Sequence, residues 1–406
     1  MKIIVQKFGG TSVATAEARA AVVKKVNEAI SNGYIPVVVV SAMGRKGAPY
    51  ATDTLIGVLK EANPHVLPHE LDLLMACGEI ISSCVMAATL QANGIKAKAL
   101  TGGQAGMVTD SNYGEAKIKN IRTGYLISLL EEGLVPVICG FQGETEDLSD
   151  ITTLGRGGSD TSAAAFGAAL NADLVEIYTD VDGVMTADPR IVGDAKIMKQ
   201  ISYAEICEMA HQGAKVIHPR AVEIAMAHNT PLVVKSTFSD APGTLISGAV
   251  DNRVMEQDGT TSKHVASGVA NLMGITLFSV TPSEGDASNG KKLLDTLASN
   301  GISIGAVSLQ PNTISFAVYN PDAEKTNKVL KVQGYKYICT PECAKVSVVG
   351  NGMGGVPGVM ATFVSALTGK NIQIMQTTDS NTTISAIIKQ KDVNQAVNAL
   401  HTAFKL

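Results

Sequence analysis

The sequence predicts an α/β chain: an open, mostly parallel sheet sandwiched by helices, followed by two ferredoxin-like α+β units. Three observations carry this. Short apolar runs alternate with helix-spaced stretches through the first part of the chain. The unusual loops FGGTS, SAMG, GFQGE and TDVDG fall at the ends of those runs, where open α/β sheets bind ligands. The remainder contains an internal repeat at a fixed offset.

IIVQKF reads as the first strand. Ala14 to Ser31 reads as a helix, with Ala20, Val23, Val26 and Ile30 on its apolar stripe and Asn32-Gly33 as its stop. YIPVVVVSA is a buried strand, Leu71 to Ala92 a long helix, KAKAL a strand, Ala116 to Glu132 a helix and VPVICGF a strand. Ser159 to Asn171 is an Ala-rich helix, and LVEIYTDV is the strand after it. The turn-rich STFSDAPGTLISG, from Ser236, closes this first domain, assigned to residues 1–240, with a linker over 241–262.

Offsetting the rest by 70 residues aligns LLDTLASNGISIGAVS, from Leu293, with FVSALTGKNIQIMQTT, from Phe363, and TISFAV with TISAII. Each copy reads as strand, helix, strand, strand, helix. The copies are placed at 263–340 and 341–406. The second ends before its last strand, and the unassigned HVASGVA, residues 264–271 with the following Asn271, is available to complete it. The repeats are therefore expected to interlock. GNGMGG at Gly350 fits a dinucleotide-binding pattern. Too little chain follows it for a dinucleotide domain, so it reads as a strand-to-helix turn, with Pro357 opening the helix.

Composition narrows the function. Lys and Arg number 33 against 37 Asp and Glu, a formal net charge of −4, and aromatics are 4% with no Trp. This argues against nucleic-acid partners. The N-terminal apolar run is too short for a signal peptide, and the run near IPVVVVSAM is far short of a membrane span. The six cysteines form no CxxC pair and read as free thiols in a reducing cytoplasm.

Two glycine loops carry chemistry. KFGGTS follows a strand and precedes a helix, and GRGGSD, Gly155 to Asp160, leads into the Ala-rich helix. Exposed amides at a helix start, with glycines that let backbone approach closely, suit phosphate or carboxylate, and Lys7 and Arg156 add charge. In KFGGTS the lysine precedes the glycines, unlike a P-loop. His65 and His69 are flanked by Pro64 and Pro68, which spoil a helical metal pair, and His218 reads as a structural hydrogen-bonder.

KFGGTS, VVVSAMG, Gly78-Glu79, GFQG, TTLGRGGSD, YTDVDGV, ADPR and GAKVIHPRA, in this order, resemble the aspartokinases, from Lys2 to about Ser236. The C-terminal repeats resemble the tandem ACT domains that follow the amino acid kinase domain in that family. The resemblance implies transfer of the γ-phosphoryl of ATP to the side-chain carboxylate of L-aspartate. It implies that Lys7 and the amides of Gly9 and Gly10 hold the ATP phosphates, with Ser12, Thr179, Asp180, Asp182 and Arg190 at further ATP positions. Lys7 and Lys215 neutralise the transferring group, Asp160 orients the lysines, and Mg²⁺ bridges the phosphates without a dedicated protein metal site. Arg156 clamps the substrate α-carboxylate, Glu79 pairs with its ammonium, and Ser41, Thr52, Gly158 and Ser159 match positions that contact aspartate. A carboxylate acceptor is already ionised at neutral pH, so no general base is required; charge neutralisation and in-line positioning suffice.

By the same resemblance, L-lysine, with L-threonine as a second candidate, is the expected effector near Ser283, Asp286, Asn289, Ser303 and Ile304. The chain is expected to be a cytoplasmic homodimer or dimer of dimers through the ACT tail. Two other readings are a kinase of glutamate or of a carbamate, and a non-catalytic amino-acid sensor. The full set Lys7, Glu79, Arg156, Asp160 and Lys215 favours catalysis, and the GRGGSD arginine with the tandem tail favours aspartate.

Overall fold

Ile3–Phe8 (β1) is buried along its whole length, as a strand must be when helices cover both faces of its sheet. The computed structural model describes residues 1–214, 216–248, 253–255, 261–263, 265–282 and 289–406. After β1 come α1 (Gly10–Val13), α2 (Ala16–Ser31), β2 (Ile35–Val40), α3 (Thr52–Ala62), α4 (Pro68–Ala92), β3 (Ala97–Leu100), β4 (Met107–Thr109) and β5 (Ile118–Ile121). Then follow α5 (Gly124–Glu131), β6 (Val135–Cys139), β7 (Gln142–Thr145), β8 (Ile151–Thr153), α6 (Gly158–Ala169), β9 (Leu174–Thr179), β10 (Gln200–Ser202), α7 (Tyr203–His211), α8 (Pro219–Ala227), β11 (Leu232–Ser236) and β12 (Thr244–Ser247).

Eight of these strands form one sheet in the order β10-β12-β11-β9-β1-β2-β6-β3. Its pairings are parallel except that between β11 and β12. A second, four-stranded sheet has the order β5-β4-β7-β8. The Val-rich β2 and the alternating apolar residues of α2 and α4 share one core with Phe8, Val38, Val40, Met86 and Leu90.

Several expectations are corrected here. The helix expected over Ala14 to Ser31 begins at Ala16, because the Thr15 side chain caps it by accepting from Ala18 N. The helix expected over Ala116 to Glu132 is a strand followed by the shorter α5. The β-branched Ile118 and Ile121 find ladder partners in β4, and Ala116 N is taken by Thr153 O, so pairing overrides local helical spacing. β12 pairs with β11 and β10, so the sheet reaches past residue 241, where the sequence reading begins a linker. The longest apolar segment is α4: by length and composition it could cross a membrane, yet half of it is buried here and it lies against β3, β6 and β8 as a core helix.

The chain divides into two compact units: Met1–Val184, Ile197–Ala210 and Lys215–Asp251 in one, and Met185–Lys196, His211–Ala214 and Asn252–Leu406 in the other. The stretch 185–196 thus departs from the single 1–240 domain of the sequence reading. Ala187 and Val192 are buried with Val348 and Leu400 in the second unit's core, and Thr186 Oγ1 meets His401 Nε2 at 2.9 Å.

The second unit contains β13 (Arg253–Met255), β14 (Thr261–Lys263), β15 (Gly268–Thr281), α9 (Asn289–Ser299), β16 (Gly305–Gln310), β17 (Thr313–Tyr319), α10 (Asn320–Val332), β18 (Lys336–Val349), α11 (Val359–Thr368), β19 (Gln376–Asp379), β20 (Thr383–Lys389) and α12 (Val393–Ala403). Six strands form the sheet β16-β17-β15-β18-β20-β19. The repeat is visible in it: β17 and β20 start at Thr313 and Thr383, and α9 and α11 at Asn289 and Val359. β15 and β18 are both 14 residues long and serve both copies. Gly268–Leu272 pairs with the second half of β18, whose other neighbour is β20, while Leu277–Thr281 pairs with the first half of β18 and with β17. The strand begins at Gly268; His264, where the sequence reading starts it, lies outside the described residues. The GNGMGG loop joins β18 to α11, with Gly358 as the cap, so Pro357 precedes the helix and does not open it.

Candidate active site

Lys7 is the next-to-last residue of β1, and its ammonium lies 2.7 Å from Asp160 Oδ1. Asp160 stands in the first turn of α6, where a carboxylate also complements the helix dipole. Both side chains are largely buried. The pair lines a cleft of about 670 Å³, whose wall includes Gly10, Ser41, Thr52, Glu79, Arg156, Gly158 and Ser159. A comparable hollow of about 580 Å³ lies over α2, but helix-surface residues alone line it and no glycine loop reaches it.

Close backbone approach builds the cleft. A Cβ on Gly10 would stand 2.6 Å from Ala42 O and 2.7 Å from Gly44 O, so only glycine lets the β1 turn meet the loop after β2. Gly78 on α4 plays the same part against Ala42 Cβ at 2.9 Å and Tyr50 O at 3.0 Å. That contact sets Glu79 beside the loop. Its Oε1 accepts from Ala42 N at 3.0 Å, and its Oε2 is buried without a hydrogen-bond partner among the described residues. Burial pushes the Glu79 carboxyl up to about 8, against the opposing bond from Ala42. A cationic donor reaching this unpartnered oxygen would favour the ionised form that burial opposes.

GRGGSD turns through two left-handed glycines, Gly155 at φ 74° and Gly157 at φ 69°. A Cβ on Gly157 would strike the His218 ring at 2.1 Å, so His218 closes against this loop as a packing group. Arg156 is exposed between the two glycines and lines the cleft. The lining of the cavity therefore includes the cationic Lys7 and Arg156 together with the buried carboxyl of Glu79.

Not every expected residue arrives there. Gly9 is the residue before α1, and its N–H is bonded to Tyr178 O at 3.3 Å. Ser12 is fully buried, with its hydroxyl 2.7 Å from Thr237 Oγ1, and it does not line the cleft. Thr179 ends β9 and Asp180 and Asp182 follow it, but none of the three lines the cleft; Asp180 pairs with Arg45 at 2.6 Å and Asp182 accepts from Ser239 Oγ. Arg190 belongs to the second unit, where it pairs with Asp188 at 2.6 Å. Lys215 lies outside the described residues, as do Ser283 and Asp286 of the expected effector site. Asn289 begins α9, and Ser303 and Ile304 lead into β16, with Ile304 against the core of the first repeat.

The cleft also recruits residues that the sequence reading passed over: Asp53, Met75, Glu115 and Phe141. Asp53 is next to Thr52 and Phe141 sits inside GFQG, so their loops carried the signal. Phe141 has φ 69°, a strained value for an aromatic residue, and the start of α6 presses on it. Glu115 had none: it lies just before Ala116 to Glu132, the stretch expected to be helix.

This fold and this cleft define an amino acid kinase: a P-loop-free α/β sheet presenting a lysine, an arginine and glycine turns to an anion. The family model of the amino acid kinase family matches residues 2–236, and an ACT domain model matches 338–402. Aspartokinase 1 of Bacillus subtilis is 47% identical over 406 residues, covering 100% of both chains. The crystal structure of Escherichia coli aspartokinase III in complex with aspartate and ADP (R-state) superposes with a TM-score of 0.80 at 25% identity over 100% of both chains. Its complex with lysine and aspartate (T-state) gives 0.76 at 25% identity over 99% of both. The chain belongs to the aspartokinase family, and it is an aspartate kinase.

Proposed function

We propose that the chain transfers the γ-phosphoryl of MgATP to the side-chain carboxylate of L-aspartate in the cleft around Lys7, giving 4-phospho-L-aspartate and ADP. The observation that carries this placement is the Lys7–Asp160 pair sharing a cavity with Glu79 and Arg156. Arg156 takes the substrate α-carboxylate in a bidentate fork. Glu79, ionised on meeting the substrate ammonium, supplies the opposite charge. Lys7, held by Asp160, faces the charge that builds on the transferring group. Lys215 is the second lysine in this scheme.

Among the described residues no three His, Cys, Asp or Glu side chains are grouped to hold a metal ion. We assign the magnesium to the phosphates of the nucleotide, where it would neutralise charge. ATP as donor is supported by the ADP complex of the E. coli enzyme. These substrates place the reaction in the cytoplasm.

The interlocked repeats form the regulatory tail. Lysine is the effector we favour, bound near Asn289, Ser303 and Ile304, with support from the lysine complex of the E. coli relative. Among the described residues β16 and β19 are the edge strands of their sheet, which suits side-by-side pairing in a dimer.

A hydroxamate assay across aspartate, glutamate and acetylglutamate tests the acceptor. Turnover confined to aspartate is expected; preference for either alternative would overturn the assignment of Arg156 and Glu79. Aspartate KM and kcat measured with millimolar lysine, threonine or both test the tail. A chain indifferent to all three is not regulated in this way.

A further inference from the structure

Asp72 lies on α4 with no solvent exposure, and the phosphoryl-transfer scheme gives it no task. Its carboxylate accepts three hydrogen bonds: Oδ2 from Thr153 N at 2.7 Å and Gly114 N at 2.9 Å, and Oδ1 from Thr153 Oγ1 at 2.8 Å. Arg220, in the first turn of α8, grips the same two segments through their carbonyls. Its Nη1 donates to Leu154 O at 2.5 Å and its Nη2 to Ala116 O at 3.3 Å. Ala116 N in turn donates to Thr153 O at 2.9 Å, and Leu154 N to Phe141 O at 2.8 Å. Both backbone polar groups of Thr153 and both of Leu154 are therefore fixed.

Arg156 follows two residues later. It has no hydrogen-bond or ion-pair partner of its own among the described residues. Only Gly155 intervenes between the fixed backbone and the arginine. The groups that hold Thr153 and Leu154 therefore restrict the point from which the Arg156 side chain departs towards the cleft. A binding fork is useful only if delivered within a fraction of an ångström.

We propose that Asp72 and Arg220 are positioning residues for the aspartate site, acting through Arg156. The proposal rests on Arg156 as the substrate clamp. The choice of side chains follows from the donors they meet. Asp72 faces two N–H groups on one oxygen and a hydroxyl on the other, and a carboxylate accepts from all three; an amide holds the two N–H groups more weakly and forces the Thr153 hydroxyl to reverse and accept from its NH₂. Arg220 spans two carbonyls with a planar fork that lysine lacks.

The test is steady-state kinetics of Asp72→Asn and Arg220→Lys, each alone and combined with Arg156→Ala, with melting temperatures recorded. Asp72→Asn should raise the aspartate KM about tenfold, by analogy with the cost of a misplaced buried bond, and leave the ATP KM within about twofold. Arg220→Lys should raise it by a smaller factor of the same kind. In the Arg156→Ala background neither change should add more than about twofold, because the group they position is gone. An unchanged aspartate KM in both single variants, or an equal rise for ATP, overturns the proposal. A normal effect of Arg156→Ala with a full further effect of Asp72→Asn overturns the brace and leaves the clamp. An aspartate KM indifferent to Arg156→Ala overturns the clamp and the brace with it. If Asp72→Asn does not fold, Arg220→Lys carries the same comparison.

Discussion

Lys7 Nζ lies 2.7 Å from Asp160 Oδ1, so the end of β1 is tied to the first turn of α6 by a charge pair inside the cleft. The aspartate fixes the ammonium and offsets its charge before an anion arrives. Lys7→Ala should lower kcat by a factor of about 10² to 10³, the usual cost of one electrostatic stabiliser of a developing charge. Asp160→Asn should cost less, since the lysine remains. Both variants should keep a normal circular dichroism spectrum. A Lys7→Ala enzyme turning over near the wild-type rate would remove Lys7 from the chemistry.

Glu79 makes a prediction about pH. Its carboxyl, pushed up to about 8 by burial, is largely protonated at neutral pH in the free enzyme. Binding an ammonium requires the charged form. The aspartate KM should therefore fall as pH rises from 7 towards 8.5 and then level off, and Glu79→Gln should raise the KM and flatten the profile. A wild-type KM independent of pH over that range speaks against Glu79 as the ammonium partner.

Stability follows from the same group, with the sign reversed. The unfolded chain loses this proton near 4.5 and the folded chain near 8, so the folded state binds more protons between those values. The contribution of Glu79 to stability is present below 4.5 and is lost as pH rises through 8, with a slope of at most about 1.4 kcal/mol per unit. In melting curves, the stability of the wild type relative to Glu79→Gln should be constant below 4.5, fall as pH rises from 4.5 to 8, and level off above 8. Parallel curves would show that burial does not perturb Glu79.

Arg156→Lys should raise the aspartate KM about tenfold or more with a smaller effect on kcat, because an ammonium cannot reproduce a planar fork on a carboxylate. The ATP KM should barely move. An unchanged aspartate KM would assign the clamp elsewhere.

Gly78→Ala places a methyl 2.9 Å from Ala42 Cβ and 3.0 Å from Tyr50 O, with no flexible side-chain end to yield. Overpacking of this kind costs about 1–3 kcal/mol, and the loop that bonds Glu79 must shift. A lowered melting temperature together with a raised aspartate KM is expected. A variant with wild-type values for both would mean that the loop after β2 tolerates displacement.

Much of the fold could be read from the chain because its signals are local or periodic. Val-rich β1 and β2 cannot be solvated strands, and the loops that follow them break the apolar pattern with glycine. TISFAV and TISAII recur at a constant spacing, so the two copies declare themselves. Lys7, Gly10, Ser41, Thr52, Arg156, Gly158, Ser159 and Asp160 lie in or beside glycine-bearing loops, Glu79 lies within α4 next to Gly78, and all nine line one cleft. That Ser12 is buried against Thr237 could not be read locally, because its partner is 225 positions away.

The sequence by itself determined the class of sheet, the doubled tail, and the residue types at the cleft, because backbone freedom at glycine and the periodicity of burial are written locally. Only the tertiary structure decided three other matters. It drew Ala187 and Val192 into the core of the second unit. It ran β15 and β18 through both repeats. It brought Asp72 and Arg220 to the same two backbone segments, although they are far apart in the chain. Each of these is a long-range pairing, and nothing local records which distant backbone group a buried carboxylate, guanidinium or strand edge will find.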